Sequence, residues 1–538
     1  MKVKFMGAAR TVTGSCFILE TEEGRRFAVD CGMHQGNGEI EKRNWETKIY
    51  DAAKIECLFV THAHIDHAGL LPRIVKEGFH GAIYATPPTL DLLKILLLDS
   101  AHIQEMEAQW KNRKHLRHGN GDKDVEPLYT REDAEEVTRY FKAVEYDQPL
   151  TPIAGVRAIF RDAGHILGAS ILELEVAERG KTAKLVFSGD VGRPAQLIMK
   201  DPTVIETADY LFMESTYGNR NHKNEMESLN ELAEAIAYSY SHGEKVIIPS
   251  FAVERTQELL YCLHLLDRDG RLPRDMPVYV DSPLATQATE IFRKYTNYFD
   301  EEAGGLLRKG EDPLTFPQLH FTRSTEESMK INILAGPAVV ISASGMANAG
   351  RIRHHLRHKL WREGAAVVFV GFQAQGTTGR RIVDGAKMIR IFNEDVAVKA
   401  RIFTINGFSA HAGQSQLLEW VGHFRSPALQ VFLIHGEYSA QQALADLIHE
   451  RYGFPVTIPD YLEEVTLKPG VMIERVAAPE QAVHRIDWNF ILLDMEKRQQ
   501  QLRERQARIE AKGWAEQAEF REQLLELNRR LTALISDL

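Results

Sequence analysis

An apolar run that ends in a cluster of metal-ligand side chains restricts a fold more than any bulk property, and residues 57–69 contain one. Cys57-Leu58-Phe59-Val60 reads as a buried strand, and Thr61-His62-Ala63-His64-Ile65-Asp66-His67-Ala68-Gly69 follows it directly. At a strand end, alternation with period two puts His62 and His64 on one side. Asp66 and His67 then fall on the turn and face a second point. Neutral imidazole and carboxylate are the usual ligands of zinc, and a group this dense can hold two ions rather than one.

Other bulk properties narrow the setting. A chain of 538 residues is expected to form two or three domains with large cores. It is 44% hydrophobic and 26% charged, with no apolar stretch long enough to span a membrane. The start, Met1-Lys2-Val3-Lys4-Phe5-Met6-Gly7, enters a strand-like pattern and has no signal-peptide core. Cys16, Cys31, Cys57 and Cys262 show no pairing framework, which fits reduced thiols and a cytoplasmic protein. A net charge of −10 argues against a general nucleic-acid coat but leaves room for a local basic cleft.

Along the chain, short strands separated by Gly and Asn turns occupy residues 1–60 and suggest antiparallel hairpins on one face of a sandwich. Residues 88–146 read as helical, with a break near Arg117-His118-Gly119-Asn120-Gly121. Strands resume at Val156–Phe160, Ile171–Glu175 and Lys184–Phe187. After about Asp209, apolar runs such as Val246-Ile247-Ile248-Pro249 and Val339-Val340-Ile341 alternate with helix-period segments. That rhythm predicts a mainly parallel sheet flanked by helices, inserted into the first domain. The expected division is 1–208 and 398–484 for the interrupted domain, 209–397 for the insert, and 485–538 for a helical tail. In the tail, Phe520, Leu524, Leu527, Leu531, Leu534 and Leu538 form a heptad seam, and Gly513 is expected to break the helix ahead of it. Such a seam suits a coiled coil, either in a homodimer or folded back on the body.

Four further polar residues stand at strand ends, where catalytic groups gather. Asp30 closes Phe27-Ala28-Val29, and His165 lies in Asp162-Ala163-Gly164-His165-Ile166-Leu167-Gly168. Asp190 closes Val186-Phe187-Ser188-Gly189, and His435 closes Val431-Phe432-Leu433-Ile434. Singly each is an ordinary turn cap. Together with residues 62–67 they complete two metal shells.

Asp30, the HxHxDH run, His165 and Asp190 match in order the motifs of the metallo-β-lactamase fold, an αββα sandwich. The segment between Asp190 and His435 resembles the β-CASP insertion of nucleic-acid-processing members. Glu214-Ser215-Thr216-Tyr217-Gly218 resembles motif A, Phe408-Ser409-Ala410-His411 motif B and Ile434-His435-Gly436-Glu437 motif C. The chain thus looks like a β-CASP ribonuclease, similar to bacterial and archaeal homologues of the pre-mRNA 3′-end cleavage endonuclease, over residues 1 to about 470. No KH domains precede this core, and the tail falls outside the pattern.

The resemblance implies one zinc held by His62, His64 and His165 and a second by Asp66, His67 and His435. Asp190 bridges the two, and Asp30 supports the site. It also implies a bridging hydroxide as nucleophile, His411 as the acid for the leaving oxygen, and Glu214 as its partner. RNA is then cut to 5′-phosphate and 3′-hydroxyl ends, expected to be endonucleolytic, with 5′→3′ exonucleolytic action left open. The loop Ser344-Gly345-Met346-Ala347-Asn348-Ala349-Gly350 opens a basic helix carrying Arg351, Arg353 and Arg357. Ser344, Asn348 and these arginines are the expected phosphate contacts. Gly376-Thr377-Thr378-Gly379-Arg380-Arg381 is a second candidate.

Three rival readings fit the sequence less well. A small-molecule hydrolase of the same fold leaves the large insert with Glu214 and His411 unexplained. DNA-processing β-CASP proteins typically carry Val at the motif C histidine, so His435 favours RNA. A non-catalytic scaffold subunit would have lost ligands, and here every ligand position is filled.

Overall fold

A computed structural model describes residues 1–118, 125–222, 225–371, 373, 376–468, 474–476 and 488–536. Residues Met1–Ala482 form one unit and Val483–Leu538 another. In the first unit two sheets face one another. The eight-stranded sheet runs Glu474–Val476, Glu464–Thr466, Lys2–Phe5, Phe17–Glu20, Arg26–Val29, Cys57–Phe59, Ala82–Ala85 and Phe141–Ala143. The seven-stranded sheet runs Val456–Thr457, Gln430–Leu433, Tyr210–Met213, Lys181–Phe187, Ser170–Glu178, Val156–Asp162 and Leu150–Ile153.

Period-two alternation explains the layering. Phe27, Phe59, Phe187, Phe212 and Phe432 share the core between the sheets. Their neighbours Ala28, Leu58, Val186, Leu211 and Val431 instead join helix residues such as Leu71, Leu93, Leu417 and Leu444 in a separate core. This is an αββα sandwich. Phe187 stacks on Phe212 at 4.3 Å and Phe212 on Phe432 at 4.8 Å. Each fully buried ring contributes about 1.5–3 kcal/mol and each ring pair about 0.5–1.5 kcal/mol more.

The third sheet has six strands, all parallel: Leu319–Phe321, Val278–Val280, Ala338–Ser342, Lys245–Pro249, Ala366–Phe369 and Arg401–Thr404. Its central strands are buried along their whole length, as a sheet covered on both faces requires. Val246 and Ile248 share a core with Leu232 and Ile236, whereas Ile247 packs with Ile352 and Leu356. A hairpin of Met388–Ile391 and Glu394–Ala397 completes this segment. Pairing shifts two strands relative to the expected span 209–397. Tyr210–Met213 belongs to the sandwich, beside Lys181–Phe187 and Gln430–Leu433. Arg401–Thr404 belongs to the parallel sheet, beside Ala366–Phe369.

The expected break near Arg117 falls at the end of the helix Pro87–His118, and Gly119–Gly121 lie outside the described residues. In the second unit, helices span Trp488–Glu504, Gln506–Glu510 and Trp514–Ser536, with Gly513 just ahead of the last. Phe520, Leu524, Leu527, Leu531 and Leu534 of the seam lie on that helix; Leu538 lies outside the described residues. Among the described residues no helix is long and apolar enough to cross a membrane.

Candidate metal centre and acid

One end of the sandwich collects the polar strand ends. Phe187, Phe212 and Phe432 stand in one row of parallel strands. Asp190, Glu214 and His435 therefore emerge side by side a few residues further on. Across from them, Arg26–Val29 and Cys57–Phe59 also run parallel and deliver Asp30 and the histidine turn. The carboxyl ends of parallel strands are where α/β sheets place their ligands.

Three ligand groups result. His62, His64, His165 and Asp190 can each bring one atom within 4.8 Å of the others; so can Asp66, His67 and His435, and so can Asp190, Glu214 and His411. Asp190 Oδ2 lies 3.4 Å from His62 Nε2 and 3.6 Å from His165 Nε2. Its Oδ1 lies 3.3 Å from His67 Nε2 and 3.4 Å from His435 Nδ1. His64 Nδ1 is 3.0 Å from His62 Nε2, and Asp66 Oδ2 is 3.4 Å from His435 Nε2.

Asp30 is buried beneath this cluster at positive φ. Its carboxylate accepts from the Thr61 amide at 2.8 Å, Thr61 Oγ1 at 3.0 Å and Ser15 Oγ at 3.2 Å. It also accepts from His67 Nδ1 at 2.7 Å, which turns Nε2 toward Asp190. Close approach matters here: a Cβ at Gly32 would collide with the Asp66 carbonyl.

Electrostatics suit metal ligation. Burial holds the His62 pKa at about 3 and the His64 pKa at about 4, and it pushes His165 well below the usual value. Burial thus favours the neutral form that ligation requires. Burial also opposes charge on His67, but Asp190 and Asp30 outweigh it and raise its pKa well above the usual value. The carboxylates thus create a seat for a cation. His67 Nε2 and Asp190 Oδ1, both buried, have no hydrogen-bond partner among the described residues, which fits an ion between them. The donor set, imidazole with carboxylate, is that of zinc.

His411 flanks the centre, its side chain 21% exposed. Nδ1 lies 3.2 Å from Glu214 Oε1 and 3.9 Å from Asp190 Oδ2. Burial works against a charge on this ring; Glu214 and Asp190 overcome it and push its pKa up to about 9. Glu214, fully buried, also accepts from the Val191 amide at 2.7 Å and the Thr216 amide at 3.3 Å.

The expected phosphate contacts do not converge in the same way. Ser344 Oγ is buried without a partner among the described residues, and Asn348 Oδ1 accepts from the Thr378 amide at 2.8 Å. Arg351 Nη1 pairs with Asp281 Oδ1 at 2.8 Å. Arg353 lies over the Phe392 ring at 4.2 Å, and Arg357 forks onto Glu394 at 2.6 and 2.7 Å. In the second candidate loop, Thr377 caps a helix and Arg380 pairs with Asp384.

Sequence reasoning passed over Ser15, Thr61, Gln196, Glu254 and Asp281. Thr61 adjoins the histidine run, and Asp281 closes the strand Val278–Val280, so the strand-end rule that found Asp190 would have found both. Phe251 was also missed; it is 47% exposed at the end of Lys245–Pro249, its ring against Gly345.

An αββα sandwich with candidate metal ligands converging at its strand ends, and a parallel sheet inserted in its chain, defines a class of metallo-hydrolase. The Metallo-beta-lactamase superfamily pattern matches residues 9–242, the Beta-Casp domain residues 256–382, and the Zn-dependent metallo-hydrolase RNA specificity domain residues 395–459. Ribonuclease TTHA0252 of Thermus thermophilus is 37% identical over 448 residues, 83% of this chain and 96% of its own. An RNase J-like protein of Methanocaldococcus jannaschii is 29% identical over 85% of this chain and 97% of its own. The transcription termination factor FttA of the same organism is 27% identical over 87% of this chain and 72% of its own. The chain belongs to the metal-dependent β-CASP ribonucleases of the metallo-β-lactamase fold.

Proposed function

We propose that this chain hydrolyses RNA phosphodiester bonds endonucleolytically, with two zinc ions, leaving 5′-phosphate and 3′-hydroxyl ends. The single observation that carries this is Asp190 standing between two ligand groups, with Oδ2 facing His62 and His165 and Oδ1 facing His67 and His435, and the Glu214–His411 pair beside them. The RNA specificity pattern and the ribonuclease relative support RNA as the substrate.

His62, His64 and His165 would hold one ion, Asp66, His67 and His435 the other, and Asp190 would bridge them. When bound, such a pair acidifies a water and neutralises charge developing on the phosphate. Asp30 fixes the tautomer of His67, so that Nε2 rather than Nδ1 faces the centre. His411 holds a proton for the leaving 3′-oxygen, and Glu214 keeps that ring oriented and charged. Ser344 and Asn348 lie past the carboxyl end of Ala338–Ser342 and are assigned to the RNA backbone, with Arg353 and Arg357 further along. Buried cysteines with no disulfide among the described residues support a cytoplasmic setting, and the seam on Trp514–Ser536 supports pairing of two copies.

Purified protein given 5′-labelled and internally labelled RNA should release internal fragments with 5′-phosphates and carry about two zincs per chain by elemental analysis. Mononucleotides released from the 5′ end from the first time point would overturn the endonucleolytic assignment. Activity retained in protein containing no metal would overturn the mechanism.

A further inference from the structure

Glu254 takes no part in the chemistry above, yet it holds a non-glycine backbone at positive φ. It links the strand Lys245–Pro249 to the helix Arg255–Arg268, with φ 65° and ψ −63°. The Arg255 amide donates to the Val253 carbonyl at 2.9 Å across it. That combination is a γ-turn of the rare, strained hand, which glycine adopts far more easily than a residue with a side chain. Strain of this kind persists only where the surroundings impose it, and it clusters at functional sites.

The Glu254 side chain does not cap its own helix. It is 4% exposed and reaches out of the inserted segment to accept from the Leu167 amide at 3.3 Å. Leu167 is two residues from His165. Glu258 and Arg255, paired with one another, are charged groups that act on it, and Arg193, donating to the Gly407 carbonyl at 2.5 Å, acts in turn on Glu258.

His165 needs an external hold more than its neighbours do. His67 Nδ1 is fixed by Asp30, and His62 Nδ1 lies 3.1 Å from Thr61 Oγ1. His165 Nδ1 is buried with no hydrogen-bond partner among the described residues, so no bond on the far side of the ring fixes its aim, which depends on where the backbone holds it. Thr86 and Thr89 hold that loop at the Gly168 carbonyl, at 2.7 and 2.9 Å, and the Gln196 amide holds it at Gly164. Those anchors belong to the sandwich; Glu254 comes from the inserted sheet.

We propose that Glu254 is a positioning residue through which the inserted domain aims His165 at the metal cluster. The metal site then depends on the seating of the insert. This rests on the zinc-site reading above.

Zinc affinity, measured on the full chain against a chromophoric chelator, separates this from a purely local role. Glu254→Gly removes the carboxyl group and relaxes the turn; Glu254→Gln keeps an acceptor in place. The glycine variant should lose about 10–100-fold in affinity for one zinc, while the melting temperature of the metal-free protein holds or rises. Its kcat on a small aryl phosphodiester should fall with KM unchanged, and the glutamine variant should recover most of both. A glycine variant with parental zinc affinity overturns this inference alone; a parent that takes up no zinc overturns the metal reading and the inference with it. If the metal-free glycine variant melts lower, the glutamine variant decides. Parental affinity there upholds the acceptor role, and a loss equal to that of glycine overturns it.

Discussion

His67 Nε2 and Asp190 Oδ1 lie 3.3 Å apart, and each is buried without a hydrogen-bond partner among the described residues. His67 donates its Nδ1–H to Asp30, so Nε2 faces a carboxylate oxygen, and Asp190 and Asp30 together strengthen its hold on a proton there. Two acceptors facing each other out of water repel unless a proton or metal ion lies between them. The chain has thus built a cation seat whose geometry depends on Asp30.

Asp30→Ala should therefore weaken zinc binding without removing a ligand. It frees the His67 ring to rotate and leaves Thr61 and Ser15 without their acceptor. The expected loss is about 10–100-fold in zinc affinity, read by chelator competition, with Asp30→Asn intermediate. Unchanged affinity in Asp30→Ala would mean that packing alone orients His67.

His411 is assigned a proton rather than a metal. A leaving 3′-oxygen needs that proton, whereas an aryl diester with an acidic phenol departs as a stable anion. His411→Ala should slow RNA cleavage by about 10²–10⁴-fold and spare the aryl diester much more. Zinc content should survive this change and fall in His64→Ala, which should damage both reactions. Loss of zinc in His411→Ala would make His411 a ligand.

What the sequence made legible was local. The histidine turn, Asp30, Asp190 and His435 each sit within a few residues of an apolar strand, so one pattern places both the strand and the ligand. Sheet membership is not local: Tyr210–Met213 reads as the opening of a new domain, and only its register with Phe187 and Phe432 assigns it to the sandwich. Arg351 reads as a free cation because Asp281, 70 residues earlier, is invisible beside it. Glu254 and Leu167, 87 residues apart, are hidden for the same reason.

That distinction changes how the basic helix should be tested. A triple change of Arg351, Arg353 and Arg357 would mix phosphate contacts with a structural ion pair. Changing only Arg353 and Arg357 to Ala should weaken RNA binding uniformly across sequences. It should also flatten the salt dependence of log K by up to about 0.7 per lost single-strand contact. An unchanged slope would leave these residues to Phe392 and Glu394 alone.

Asp281 gives the fold its own pH dependence. It is fully buried, and burial disfavours its charge; hydrogen bonds from His355, Ser328 and Thr322 outweigh this, at 2.6, 2.6 and 2.5 Å, and hold its pKa below the usual carboxylate value. Arg351 adds a further contact at 2.8 Å. A carboxyl group with a lowered folded pKa stabilises the fold above its unfolded value of about 3.9, and that contribution is lost as pH falls toward the folded value. Asp281→Asn leaves His355 and Arg351 without their acid and should destabilise by about 3–5 kcal/mol at pH 7. The difference between parent and variant, measured by urea unfolding, should stay level from pH 7 to 5 and shrink below about 4. A gap that stays constant into acid would show that Asp281 is stabilised by shape and neutral hydrogen bonds rather than by its charge.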